Sequence, residues 1–323
     1  MTAFEGILGQ DTAVQTLRRA VSSDRLASAY LFEGPGGVGK RTAALELAAT
    51  VLAADAPAVR DRILAGHHPD VRVHGPREDG AHNIQVEYLR EEVLPFTQFA
   101  PFEARAAFLI FPDADVSFPE THPEAANALL KTLEEPRRGV HFVLTSDRPD
   151  RLLPTIRSRC QRLRFNRLAR PVLERILAEQ GMDETVRDEV IALAGGRADR
   201  AIALAAEGEG RQLLDLALKI DAAVAAGRPG SLTEAAETMA RSDHLPLILD
   251  TLATFYRDVA CAGLELGDDR LTFRHQAAAV RERATHVSPG LAARRVELLR
   301  EAAGALERNA NAQITMDALL FQL

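Results

Sequence analysis

Apolar residues in the first half of the chain recur with two different periods. Residues 11–22 place Val14, Leu17 and Val21 at spacings of three and four after Asp11, which predicts an amphipathic helix. Ala29-Tyr30-Leu31-Phe32 is instead a short unbroken apolar run, the pattern of a strand covered on both faces, and Thr42 to Leu52 returns to helical spacing. Asp70-Val71-Arg72-Val73 predicts a short strand. Ile84, Val86, Leu89, Val93 and Leu94 predict a helix with Pro95 as its stop. Ala106 to Phe111 and Val140 to Leu144 read as buried strands. Between them Pro123 to Glu135 reads as a helix with Ala126, Leu129, Leu130 and Leu133 on one face and Pro136 as stop. Gln161 to Phe165 alternates polar and apolar positions, as a last strand. Strands alternating with helices predict a parallel α/β sheet over residues 1–165.

From Leu168 onward the strand pattern ends. Three short helices fit 169–180, 184–194 and 198–207, Glu209-Gly210 reads as a linker, and the rest is helical and rich in alanine and leucine. Breaks fall at Gly227-Arg228-Pro229-Gly230 and at Ser288-Pro289-Gly290. The pattern therefore divides the chain into an α/β domain (1–166), a small three-helix unit (167–208) and an all-α domain (209–323), a number of domains that 323 residues accommodate.

Composition narrows the function classes. Hydrophobic content of 46% and charged content of 26% are those of an ordinary globular protein. The net charge of −7 gives no basic footprint for an autonomous nucleic-acid binder, while leaving room for a subunit of a DNA-handling assembly. Cys160 and Cys261 make neither a disulfide framework nor a zinc cluster. The N-terminal MTAFEGILGQ lacks the build of a signal peptide, and no apolar run approaches the roughly 20 residues of a membrane span. Together these predict a cytoplasmic protein without membrane contact.

The candidate chemistry starts at Gly34-Pro35-Gly36-Gly37-Val38-Gly39-Lys40-Arg41-Thr42, set between a buried strand and a helix. Glycines such as Gly34, Gly36, Gly37 and Gly39 let backbone N–H groups converge on a phosphate; the helix N-terminus and Lys40 add positive charge. The position after the lysine, where a P-loop uses a Ser or Thr hydroxyl on Mg²⁺, holds Arg41, and Thr42 lies one residue too far to replace it. A working nucleotide hydrolase also needs an acidic pair after a second buried strand. There the chain has Pro112, which carries no side-chain oxygen, followed by Asp113. Two metal contacts are missing together, which predicts a loop able at most to hold ATP or ADP. A third stretch, Thr155-Ile156-Arg157-Ser158-Arg159-Cys160-Gln161, carries arginines that fit either surface salt bridges or a dedicated role.

Several blocks occur in a characteristic order: Gly9-Gln10, Ala29–Phe32, GPGGVGK, His68-Pro69-Asp70, the Asn127–Pro136 stretch NALLKTLEEP, and Thr155–Cys160. This series resembles the bacterial clamp-loader branch of the AAA+ ATPases, strongly to about residue 165. The His-Pro-Asp block and the degraded metal positions point to its delta-prime type. Asn309-Ala310-Asn311 before Leu319-Leu320 resembles the family's helical collar.

The resemblance implies an AAA+ domain with a five-stranded parallel sheet, a helical lid and an oligomerising collar. It implies that Arg159 reaches across an interface to the ATP of a neighbouring subunit. Ser158, Cys160, Lys131, Glu134 and Glu135 would lie at that interface, and Cys160 would be a buried packing residue, not a nucleophile. Thr145, beside Ser146, would be the first sensing position. In Gly196-Arg197-Ala198-Asp199-Arg200-Ala201 the second sensing position falls on Asp199, with Arg200 next to it. The family's zinc cysteines have no counterpart between Ala54 and Ala65, so neither zinc nor another metal is expected. The implied partners are tau/gamma motor subunits and a delta subunit in a heteropentamer, the sliding clamp, and primer-template DNA through the assembly. Arg90 in the Ile84–Leu94 helix is a candidate DNA contact. An active motor subunit of the same kind of complex is the alternative reading, sustained by Lys40 and Thr42, and a helical scaffold with no DNA role is a third.

Overall fold

The computed structural model describes residues 4–53, 56–76, 83–208, 210–308 and 310–323; Glu209 and Asn309, named above, lie outside them. The chain divides into two compact units, one formed by Met1–Leu173 with Gly196–Asp199, the other by Glu174–Gly195 with Arg200–Leu323.

The first unit is built on a parallel sheet of β1 (Ala29–Glu33), β2 (Val71–Val73), β3 (Ala107–Phe111), β4 (Val140–Ser146) and β5 (Gln161–Arg164), in the order β2-β3-β4-β1-β5. All five residues of β3 are buried, as are the first four of β1, which is why these strands carry no polar alternation. Each large side chain so buried contributes on the order of 2 kcal/mol. Pairing of Glu33 with Ser146 and of Phe111 with Leu144 brings the carboxyl ends of β1, β3 and β4 side by side. Loops at that edge are where ligands bind in such sheets.

The helices of this unit are α1 (Asp11–Ser22), α2 (Lys40–Leu52), α3 (Pro57–Leu64), α4 (Val86–Tyr88), α5 (Leu94–Gln98), α6 (Ala114–Ser117), α7 (Glu124–Glu134) and α8 (Pro154–Arg157). In α7, Ala125, Ala126, Leu129 and Leu133 are buried, as the periodicity predicts. Pro57 opens α3, its missing N–H costing nothing at a first helical turn. Arg60 then ties α3 to α2 through the buried Glu46, at 2.5 and 2.7 Å. One feature departs from expectation: Pro95 does not stop its helix. Leu89–Val93 forms a π-turn, with the Leu94 N–H bonded to Leu89 O, and the helix continues through Pro95 to Gln98. The wider turn re-registers the ladder just where a proline cannot donate.

His68-Pro69-Asp70 has a structural role. Asp70, fully buried, accepts backbone N–H groups of Phe102 (2.5 Å), Glu103 (2.9 Å) and Ala104 (2.9 Å), fixing the loop that feeds β3. His68 accepts the Asp70 N–H at 3.1 Å and meets Glu103 at 3.1 Å.

Helices α9 (Arg170–Glu179) and α11 (Ala198–Glu207) each have residues in both units. The second unit, helical among its described residues, contains α10 (Glu184–Ala194), α12 (Gly210–Ala226), α13 (Pro229–Ala240), α14 (Leu245–Gly263), α15 (Ala277–Ala284), α16 (Pro289–Glu307) and α17 (Ala312–Leu320). Ser288 and Asn311 cap α16 and α17 through the N–H groups of Leu291 (3.3 Å) and Ile314 (3.0 Å). Buried Asp221 is satisfied by the Tyr256 hydroxyl and by Arg283 Nε, both at 2.8 Å. None of the described helices is long and apolar enough to cross a membrane.

Candidate functional site

The Gly34–Thr42 loop leaves β1 at the sheet's carboxyl edge, where the Gly34 N–H donates to Ser146 O at 3.1 Å. Gly39, in the left-handed region at φ 95°, caps α2, so Lys40 is the first helical residue. Behind the loop, buried Gln10 donates to Val38 O (3.2 Å) and Asn166 O (2.8 Å) and accepts the Asn166 N–H (2.9 Å). A single side chain thus couples the loop to the segment after β5.

Lys40 is only 5% exposed and all three of its donor directions are used. Nζ donates to Gly34 O (2.7 Å), to Pro35 O (2.5 Å) and to Asp147 Oδ1 (2.7 Å). Arg41 and Thr42 are exposed on the first turn of α2. Both line a cavity of about 520 Å³ whose other walls include Gly37, Pro112, Asp113 and Thr145.

Pro112 follows β3 directly. Asp113 adopts φ 49°, opens α6, and donates its N–H to Thr145 Oγ1 at 3.2 Å. Burial, then the carboxylates of Asp147 and Asp115, raise the Asp113 carboxyl above the usual carboxylate range, against the opposing charges of Lys40 and Arg41. Of the residues expected at sensing positions, Thr145 and Asp199 line the cavity, while Arg200 pairs with Asp250 at 2.7 Å. Asp199 is bound by Arg197 (Nη2 to Oδ2, 2.8 Å), and the Ala198 N–H donates to Gly37 O at 2.9 Å.

Two participants have no local sequence signal, Asp147 and the buried Asp115 that accepts the Asp147 N–H at 3.2 Å. Only their position just beyond buried strands could have drawn attention to them. Among the described residues no group of three or more His, Cys, Asp or Glu is placed to hold a metal ion.

The Thr155–Gln161 stretch lies apart from this cavity. Arg159 Nε donates to Glu134 Oε1 at 2.8 Å and Nη1 to Thr155 O at 2.8 Å; Nη2 also meets Glu134. Lys131, Glu134, Glu135 and Ser158 are exposed. Cys160 is buried, and burial pushes its thiol up to about 12, so it stays protonated and unreactive. Arg90 is exposed on the π-turn.

A parallel β2-β3-β4-β1-β5 sheet with a glycine loop between β1 and α2, followed by an all-helical region, is the AAA+ type of P-loop α/β protein. Residues 9–169 match the family model described as "DNA polymerase III, delta subunit". The chain is 28% identical over 326 residues to DNA polymerase III subunit delta' of Bacillus subtilis, covering 97% of this chain and 96% of that one. It is 39% identical over 143 residues to the Pseudomonas aeruginosa subunit delta', covering 42% of each. It is also 34% identical over 248 residues to the Escherichia coli subunit tau, covering 73% of this chain and 35% of that one. The chain belongs to the delta-prime family of DNA polymerase III clamp-loader subunits.

Proposed function

We propose that this chain is a clamp-loader subunit that does not itself hydrolyse ATP and that donates Arg159 to the ATP site of a neighbouring tau/gamma motor subunit. The observation that carries the reading is a contrast within one domain. Both metal-ligating positions are lost, to Arg41 and Pro112, while the Ser158-Arg159-Cys160 block is intact, its guanidinium partly exposed and paired with Glu134. A planar guanidinium that meets a γ-phosphate as charge develops accelerates hydrolysis by roughly 10³–10⁵, and lysine would not reproduce its fork. The charge environment of the loop agrees, since Asp113, Asp147 and Asp199 offset Lys40, Arg41 and Arg197 at one cavity and leave a triphosphate no net positive charge.

On this reading residues 1–166 form the AAA+ domain, 167–208 the lid and 209–323 the collar. The AAA+ domain meets the motor subunit through Arg159, Ser158, Cys160, Lys131, Glu134 and Glu135. The assembly also contains a delta subunit, forms a heteropentamer and loads a sliding clamp onto primed DNA in the cytoplasm. Thr145, Asp199 and Arg200 are then sensing positions without a hydrolytic step to report, and any ATP or ADP at Gly34–Thr42 is a passive ligand. Steady-state ATPase of the purified chain with Mg²⁺ tests this. Release of phosphate no faster than the buffer blank is expected; turnover comparable to an isolated motor subunit overturns it.

A further inference from the structure

The loop carries an anion already, and it belongs to the chain itself. Asp147 Oδ1 sits 2.7 Å from Lys40 Nζ, on the donor direction that the two carbonyls leave. Its position is built: its N–H is held by Asp115, which is 6% exposed, at the end of the buried strand β4. A Cβ added to Gly36 would lie 2.6 Å from Asp147 Oδ2 and 2.9 Å from Arg197 Nη2. A Cβ added to Gly37 would lie 1.7 Å from Asp199 Oδ1. The two glycines that let a P-loop backbone approach a phosphate thus lie against this chain's own carboxylates and guanidinium. The Ala198 N–H to Gly37 O bond fastens that second carboxylate in place.

Resting on the reading of Gly34–Thr42 as a degenerate site, we infer that Asp147 and Asp199 form an internal latch that substitutes for phosphate, closing the loop against nucleotide. Lys40 is then an ion-pairing residue that fixes the strand-to-helix turn, which accounts for a lysine kept where the metal ligands are gone. Asp147 is 38% exposed, so the latch is a competitor that a ligand must displace and not a filled core. Removing its charge should open the site while leaving a neutral acceptor for Lys40.

The test is calorimetric titration of the full chain with MgATP and with MgADP. Asp147→Asn, Asp199→Asn and the double variant are compared with wild type and with Asp150→Asn, an exposed aspartate outside the loop. Circular dichroism confirms that each is folded, and Asp199→Asn leaves the Lys40 pair intact should Asp147→Asn unfold. The expected result is wild-type and Asp150→Asn binding in the millimolar range or weaker. Kd falls at least about tenfold in either single variant and further in the double one, and Lys40→Met in the double background abolishes the gain. A gain below tenfold in the double variant, or one that survives Lys40→Met, overturns the latch. Tight wild-type binding without hydrolysis overturns the latch alone, whereas tight binding with hydrolysis overturns the proposed function as well.

Discussion

Asp70 offers the sharpest test of how the sheet edge is built. Its buried carboxylate accepts three consecutive N–H groups, Phe102 on Oδ1 and Glu103 and Ala104 on Oδ2. Hydrogen bonds to a charged group contribute about 1.5–3 kcal/mol each. Phe102 is 84% exposed, however, so these donors recover water when the acceptor is lost. Asp70→Ala should therefore cost about 3–4 kcal/mol, well short of the summed maximum. Asp70→Asn keeps one oxygen, which can serve the Glu103 and Ala104 N–H groups, but turns an amide donor toward Phe102 N–H. About 1–2 kcal/mol is expected for that single loss. Urea unfolding at constant m-value gives both numbers, and amide hydrogen exchange should show protection lost at 102–104 first. If both variants lie within about 0.5 kcal/mol of wild type, the carboxylate does not organise the loop and the physical account of His68-Pro69-Asp70 fails.

Two further outcomes follow from buried charge. Burial, and secondarily the charge of Arg72, lower His74 from its ordinary 6.5 to about 4. Its neutral form then adds stability that is present above pH 6.5 and is lost as pH falls toward 4. Urea unfolding should show about 2 kcal/mol less stability at pH 5 than at pH 7 from this group. His74→Phe, which retains the stack on Phe111, should flatten that slope, and an unchanged slope refutes the assignment. In the second unit, Asp221→Ala strands Arg283, which is 17% exposed, and should cost about 3–5 kcal/mol by denaturant midpoint, with Asp221→Leu/Arg283→Met recovering part of it. A loss under 1 kcal/mol would show that the pair is not structural.

Where local pattern decided the structure, the sequence was readable. Uninterrupted apolar runs such as Ala106–Phe111 announced buried strands, and the spacing of Ala126, Leu129 and Leu133 announced α7. Pro95 misled because a proline's effect depends on register: it is carried by a π-turn set up six residues earlier, at Leu89. The site was half visible. Glycines, Lys40, Arg41 and Pro112 lie in strand-adjacent motifs with fixed spacing, and the Gly196–Ala201 block was placed by resemblance. The partner of Lys40 is Asp147, a contact made across 107 residues by strand order alone. No periodicity encodes that, nor the packing of Asp199 on Gly37. The pairing of Arg159 with Glu134, 25 residues away, is equally a product of α7 lying beside α8.

ATPase of the loader reconstituted with tau/gamma and delta subunits, clamp and primed DNA distinguishes a working site in this chain from one in its proposed neighbour. Arg159→Ala and Lys40→Ala are introduced separately into this chain, with assembly confirmed for each. Arg159→Ala should lower stimulated hydrolysis at the proposed neighbouring motor site by roughly 10³-fold or more, while Lys40→Ala should leave hydrolysis within about twofold of wild type. Hydrolysis that survives Arg159→Ala but collapses with Lys40→Ala would contradict the proposal, placing the working site in this chain instead of its neighbour.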